Sequence, residues 1–194
     1  MNPIQVAALI LTTAFYLIYL SKQLLLKRQG ISSDRMAKGN KPARTRKVES
    51  FLLAITFTIP VLQYGSILWP EGWLTPLFQS VFLNTFGIIL SIAGICFFLL
   101  AVITMRDNWR AGIDNTQHTR LVTRGIYRFS RNPAFTGFDL FYLGIACLFS
   151  NVFLLLLTII AIIIFHIQIL EEEKYLSGVF GEEYRIYQSK TRRY

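Results

Sequence analysis

At 194 residues, 53% hydrophobic and only 16% charged, the chain is too apolar for an ordinary soluble domain. Its net charge of +9 and mean hydropathy of +0.44 point to a membrane protein. A nucleic-acid reading of the basic surplus fails on placement, because the cations flank lipid-length apolar runs and do not line one groove beside aromatic residues.

In chain order, four runs approach or exceed the roughly 20 apolar residues that a bilayer core demands of a helix, at 4–26, 51–69, 81–105 and 152–170. A shorter fifth run covers 135–149, and the polar pair Ser150-Asn151 joins it to the next as a helical hairpin. The first run lacks the basic start and small-residue cleavage site of a signal peptide, so it counts as a span. The expected fold is all-α: a single-domain, multi-pass bundle of about five transmembrane helices, with a cytoplasmic amphipathic helix at the C-terminus.

Charge placement sets the expected orientation. Nine of the twenty Lys and Arg lie at 22–47, six at 106–131 and five at 174–193, which are alternate loops of a five-span chain. The positive-inside rule then puts these loops in the cytoplasm and the N-terminus outside. The basic stretch at 27–47 carries Gly and Pro without apolar periodicity and reads as a loop with short surface helices at most. It binds headgroups or lines the entrance to a site.

Within the spans, Pro60 is expected to bend the second helix. Gly87, Gly94, Gly137 and Gly144 leave room for close helix approach. Cys96 and Cys147 have no metal-ligand spacing, so free thiols and no metal site are expected.

Chemistry concentrates in "RGIYRFSRNPAFTG", from Arg124 to Gly137. Asn132 is a good N-cap and Pro133 suits the first helical position, so a helix is expected to start there. Its exposed N–H groups beside Arg128 and Arg131 form an anion receptor, or the arginines merely anchor the helix to headgroups. Glu171, Glu172 and Glu173 end the fifth span, and the hairpin brings them to the same membrane face as the arginines. Beyond them Leu176, Val179, Phe180, Tyr184 and Tyr187 form one apolar stripe, which is expected to lie on the membrane surface or against the cytoplasmic loops. Asp139 is an acid inside a span and His166 sits near the end of another. Each is a candidate for acceptor handling, or else a satisfied bundle residue. His118 has no motif role.

Three stretches, "NWRAGI" at Asn108, "LVTRGIYRFSRNPAFTG" from Leu121 and "EEKYLSGVFGEEYRIYQSKTRR" from Glu172, resemble the isoprenylcysteine carboxyl methyltransferase family and, more distantly, the phospholipid methyltransferases. The resemblance implies an integral membrane enzyme that moves a methyl group from S-adenosylmethionine to a lipophilic or lipid-modified acceptor. It puts the cofactor region at 106–137 and 168–193. Carried over by matching position, Leu121, Val122, Gly125, Tyr127, Arg131, Asn132, Pro133, Phe135 and Gly137 shape one wall of the cofactor site and Glu172 and Glu173 the other. Glu172, Glu173 and Arg131 carry the catalytic expectation, with Asp139, His166 and Gln168 on the acceptor side.

Two departures bear on the acceptor. Isoprenylcysteine members usually have His where Asn132 stands, and Arg where this chain has Gln168, which cannot neutralise a carboxylate. A phospholipid N-methyltransferase or a small-thiol S-methyltransferase therefore stays open, as does a non-catalytic membrane scaffold or lipid-binding protein. A sterol-type reductase needs a nicotinamide, and the chain has no dinucleotide glycine fingerprint.

Overall fold

Asn2 opens the first helix with a reciprocal cap: its side chain accepts from the Gln5 N–H and the Gln5 side chain accepts from the Asn2 N–H, both at 2.8 Å. The computed structural model describes residues 1–113 and 120–194; His118 and the middle of the expected cofactor loop lie outside them. Five α-helices follow in order: α1 Pro3–Arg28, α2 Ala43–Leu68, α3 Val81–Met105, α4 Pro133–Leu148 and α5 Val152–Lys190. No strand occurs among the described residues, so the fold is all-α.

Four of the helices are long and apolar enough to cross a membrane, and α4, with 16 residues, is a shorter apolar fifth. Phe57, Val61, Ile103 and Ile159 are all exposed on their surfaces, as expected where hydrocarbon is the solvent. Pro133 opens α4 and the Phe149 to Asn151 turn closes it, which fixes its short length. Asn151 then caps α5 by accepting from the Leu154 N–H at 3.0 Å, and the hairpin forms as the polar pair implies.

Small residues bring α3 and α4 together. A Cβ added at Gly94 would meet the Gly137 carbonyl at 2.7 Å, and one at Gly87 would meet the Gly144 carbonyl at 2.7 Å. The helices touch backbone to backbone, the usual source of cohesion where lipid removes the hydrophobic drive. Below this seam Phe15 of α1 stacks on Phe141 at 4.0 Å and lies near Phe98 and Phe138. Gly94→Ala should therefore destabilise the bundle by about 1–3 kcal/mol through overpacking. Thermal unfolding in detergent checks it against Gly178→Ala, where an added methyl meets nothing within 4 Å and the midpoint should hold or rise slightly.

Two helices run further than their apolar stretches. α2 starts at Ala43 and not at 51, so the end of the basic loop is helical and carries Glu49 into the protein. α5 continues past Glu171 into the C-terminal amphipathic segment and reaches Lys190 across a kink. It turns at Gly181, whose φ of 53° lies outside helical geometry and suits glycine. α2 likewise continues through Pro60. The loops after α1 and α3, the start of α4 and the far half of α5 gather at one end of the bundle, joined by the pairings of Asp34 with Ala111 and Ser130 with Arg192.

Candidate active site

At this end the chain leaves α3 in an irregular segment. Trp109 is buried edge-on against Phe98, with ring centroids 5.6 Å apart. Gly125 has a φ of 59°, and a Cβ there would meet the Thr104 hydroxyl at 2.9 Å. A tight 3-10 turn at Gly125–Arg128 follows against the end of α3. It buries Tyr127, whose carbonyl accepts from the Tyr187 hydroxyl at 2.6 Å. That bond ties the turn to α5 across 60 residues of sequence.

Between the irregular segment and α5 lies a cleft of roughly 120 Å³ that opens to solvent. Leu121, Val122, Tyr127 and Arg131 line one side. Glu172, Leu176, Phe180, Tyr184 and Tyr187 line the other. The stripe on α5 thus covers the cleft, and only Val179, which is exposed, turns away from it. Burial pushes the Tyr184 hydroxyl up to about 12, so it stays a neutral donor at physiological pH.

The two adjacent glutamates have opposite environments. Glu173 is buried and clamped: Arg131 donates to it from Nη2 at 2.7 Å and Nε at 3.1 Å, and Arg193 from Nη2 at 2.8 Å and Nε at 3.1 Å. Burial alone would raise its pKa, but the hydrogen bonds from Arg193 and Arg131 outweigh it and hold the carboxyl below the ordinary range. Glu172 lines the cleft, with Gln168 as its side-chain partner. Burial pushes it up to about 7, while the hydrogen bond from Gln168 Nε2, at 3.0 Å, opposes the rise. Nearby Glu49 adds to the shift and Lys41 subtracts from it.

Arg131 is fully engaged. Besides Glu173 it donates to the Thr191 carbonyl at 2.5 Å and the Gln188 carbonyl at 3.3 Å. The start of α4 is no open anion receptor either, because the C-terminal residues fold over it. The Arg131 N–H donates to the Arg192 carbonyl at 2.9 Å, and the Asn132 side chain donates to the Arg193 carbonyl at 3.2 Å and makes no helix cap. Arg128 is exposed. Arg110 and Arg120 also line the cleft, and Arg110 donates to the Asp107 and Trp109 carbonyls at 2.6 and 2.8 Å.

The remaining residues of the expected site support it from behind. Pro133 is buried at the first turn of α4, Phe135 packs on Phe165 with centroids 5.5 Å apart, and Gly137 belongs to the seam with α3. Gln168 is fully buried and holds Glu172. On the other side of α5, the His166 ring stacks with Tyr194 and hydrogen-bonds its hydroxyl. Asp139 keeps one buried carboxyl oxygen without a partner. No group of three metal-ligating side chains occurs among the described residues.

Sequence reasoning missed Glu49 and Lys41, a buried pair at 2.6 Å beside the cleft. The one available signal was an acid standing alone just before an apolar run, after nine cations.

The model of the phospholipid methyltransferase family matches residues 82–183, just over half of the chain. The chain is 28% identical over 147 residues to a probable protein-S-isoprenylcysteine O-methyltransferase of Oryza sativa subsp. indica, covering 74% of each. It is 30% identical over 155 residues to the protein-S-isoprenylcysteine O-methyltransferase of Xenopus laevis and 28% over 160 residues to that of Homo sapiens. In both, the match covers 76% of this chain and 54% of the relative, so the chain spans about half the length of these vertebrate proteins. The family match runs from the start of α3 through the cleft walls to Glu183, and this chain, an integral membrane methyltransferase, belongs to the phospholipid methyltransferase family.

Proposed function

We propose that the protein transfers a methyl group from S-adenosylmethionine to a lipophilic acceptor at the membrane surface. The observation that carries this reading is the meeting of 121–131 and 172–187 around one cleft. These segments lie far apart in sequence, and each overlaps a stretch that resembles methyltransferase motifs.

The chemistry of the lining suits the donor. A carboxylate with spare lone pairs, Glu172, suits ribose hydroxyls or an ammonium. Tyr127, Phe180 and Tyr184 offer aromatic surface to a purine or a cationic sulfonium. Arg110 and Arg120 suit the amino-acid carboxylate. When bound, S-adenosylmethionine supplies an electrophilic methyl on a positively charged sulfur. The side chains then have little covalent work to do: they align the two reactants in line and exclude water. Gln168 fixes the Glu172 carboxyl from beneath, and the Tyr187 bond to Tyr127 holds the two walls at a set separation.

The basic end of the bundle faces the cytoplasm by the positive-inside rule, so the acceptor's tail enters from the inner leaflet. Similarity to isoprenylcysteine enzymes favours a prenylcysteine carboxylate as acceptor. The unpartnered oxygen of Asp139 favours a second reading, in which a phospholipid amine is drawn to the α4–α5 face. Radiolabelled donor with farnesylcysteine or with phosphatidylethanolamine vesicles separates the two, because a methyl ester is released by alkali and an N-methyl group is not. Label in neither product, together with no binding of S-adenosylhomocysteine, would leave the scaffold reading.

The raised pKa of Glu172 carries a pH signature. Its folded value near 7 exceeds its ordinary 4.5, so the stability it contributes is full below about 4.5 and is lost as pH rises through 7. Donor binding runs the other way, since the ionised carboxylate binds an ammonium best. Affinity for S-adenosylhomocysteine, titrated between pH 6 and 8, should rise several-fold with pH, and Glu172→Gln should flatten the profile.

A further inference from the structure

Glu49, on the first turns of α2, is fully buried and lies outside the segments 121–137 and 172–193. Its carboxylate is shared by three parts of the chain. One oxygen accepts from the Ile113 N–H at 2.8 Å. The other accepts from the Ala37 N–H at 2.8 Å and from Lys41 Nζ at 2.6 Å. Lys41, whose side chain is only 2% exposed, also donates to the Arg35 carbonyl at 2.7 Å. A buried carboxylate with this many charge-assisted bonds fixes the backbone around it.

The backbone concerned is the cleft's outer wall. Ile113 and Gly112 line the cleft. The strap at 33–37 is laced to the same wall, with the Arg35 N–H donating to the Ala111 carbonyl at 2.9 Å and the Ala111 N–H to the Ser33 carbonyl at 2.8 Å. Contact is close enough that a Cβ on Gly112 would meet the Met36 N at 2.9 Å. Ala37 itself holds a φ of 57°, a left-handed conformation unfavourable for alanine that its hydrogen bond to Glu49 sustains. Neither segment is a regular element, and Glu49 bonds to the backbone of both.

We propose that Glu49 is a positioning residue for methyl-donor binding: through one buried carboxylate it locks the 33–41 strap onto the 109–113 wall, so that donor binding and strap closure are a single event. This rests on the donor reading of the cleft. Because the carboxylate touches the wall and not the reacting atoms, its loss should act on donor affinity more than on turnover.

The test is hydrogen exchange with mass spectrometry on the intact detergent-solubilised protein, with and without S-adenosylhomocysteine, alongside kinetics of Glu49→Gln and Lys41→Met. In the wild type, peptides over 33–41 and 109–113 should be protected without ligand and gain protection together on adding it. Glu49→Gln should lose that protection in both and raise the donor KM at least tenfold, with kcat within about threefold. Lys41→Met, which leaves the Ile113 bond intact, should raise KM less. The proposal is overturned if ligand protects 109–113 but not 33–41, if both exchange as open loops in the wild type, or if Glu49→Gln lowers kcat at unchanged KM, as a reduced folded fraction would. Failure of the wild type to bind S-adenosylhomocysteine at all would instead sink the donor reading, while the ligand-free exchange pattern would still report on the lock.

Discussion

Glu172→Ala is expected to weaken S-adenosylhomocysteine binding about 100-fold, a loss of ~3 kcal/mol at 1.4 kcal/mol per tenfold, while leaving the protein at least as stable as the wild type at pH 8. The two effects have one cause. Burial raises the Glu172 carboxyl to about 7, so above that pH the fold holds an anion that it would hold more easily as the neutral acid. Removing the anion relieves the fold and deprives the ligand of its charged partner, the trade expected of a site residue. Glu172→Gln keeps the shape and should lose about tenfold. Calorimetry and thermal unfolding on the same preparations check both halves. A variant that binds normally, or one that binds poorly only because it has unfolded, contradicts the assignment.

Arg131→Met should have the opposite signature. Glu173 is buried with 7% of its side chain exposed, and Arg131 with 10%, so removing the arginine strands a carboxylate that Arg193 alone must hold. Breaking such a pair costs about 3–5 kcal/mol, and the lower end applies here because Arg193 remains. The bonds from Arg131 to the Thr191 and Gln188 carbonyls go as well, and the C-terminal segment at the site should loosen with them. Here the pH sign reverses. Glu173 is held below its ordinary value by Arg193 and Arg131, so its contribution is present above about 4.5 and is lost as pH falls through the depressed value. Unfolding midpoints should therefore fall as pH is lowered below about 4.5 in the wild type, and less steeply in Arg131→Met. A midpoint unchanged by the substitution would mean that the pair carries no stability.

Much of this arrangement can be read from the residues. Apolar runs give the helices, Ser150-Asn151 gives the hairpin, and the hairpin brings arginine and glutamate to one face, where Arg131 and Glu173 meet at 2.7 Å. The residues do not reveal which of two adjacent acids is neutralised. Glu172 and Glu173 differ by 100° of helix rotation, and only the packing of α5 decides that one meets Arg131 and the other the cleft.

The stripe from Leu176 to Tyr187 is legible as a face, but its target is not. An apolar helix face looks alike whether it meets lipid or a ligand cleft. Glu49 is hidden for a different reason. Its partners are backbone amides at Ala37 and Ile113, and an N–H group leaves no mark in a sequence. The cover over the start of α4 is hidden likewise, since it consists of the carbonyls of Arg192 and Arg193.

Photo-cross-linking with a photoreactive analogue of S-adenosylhomocysteine, followed by peptide mapping, tests the central claim most directly. The structure predicts label on both 121–131 and 175–187, displaced by unmodified ligand and lost in Glu172→Ala. Label confined to one segment, or spread over the lipid-facing helices, would contradict a donor site shared by the two walls.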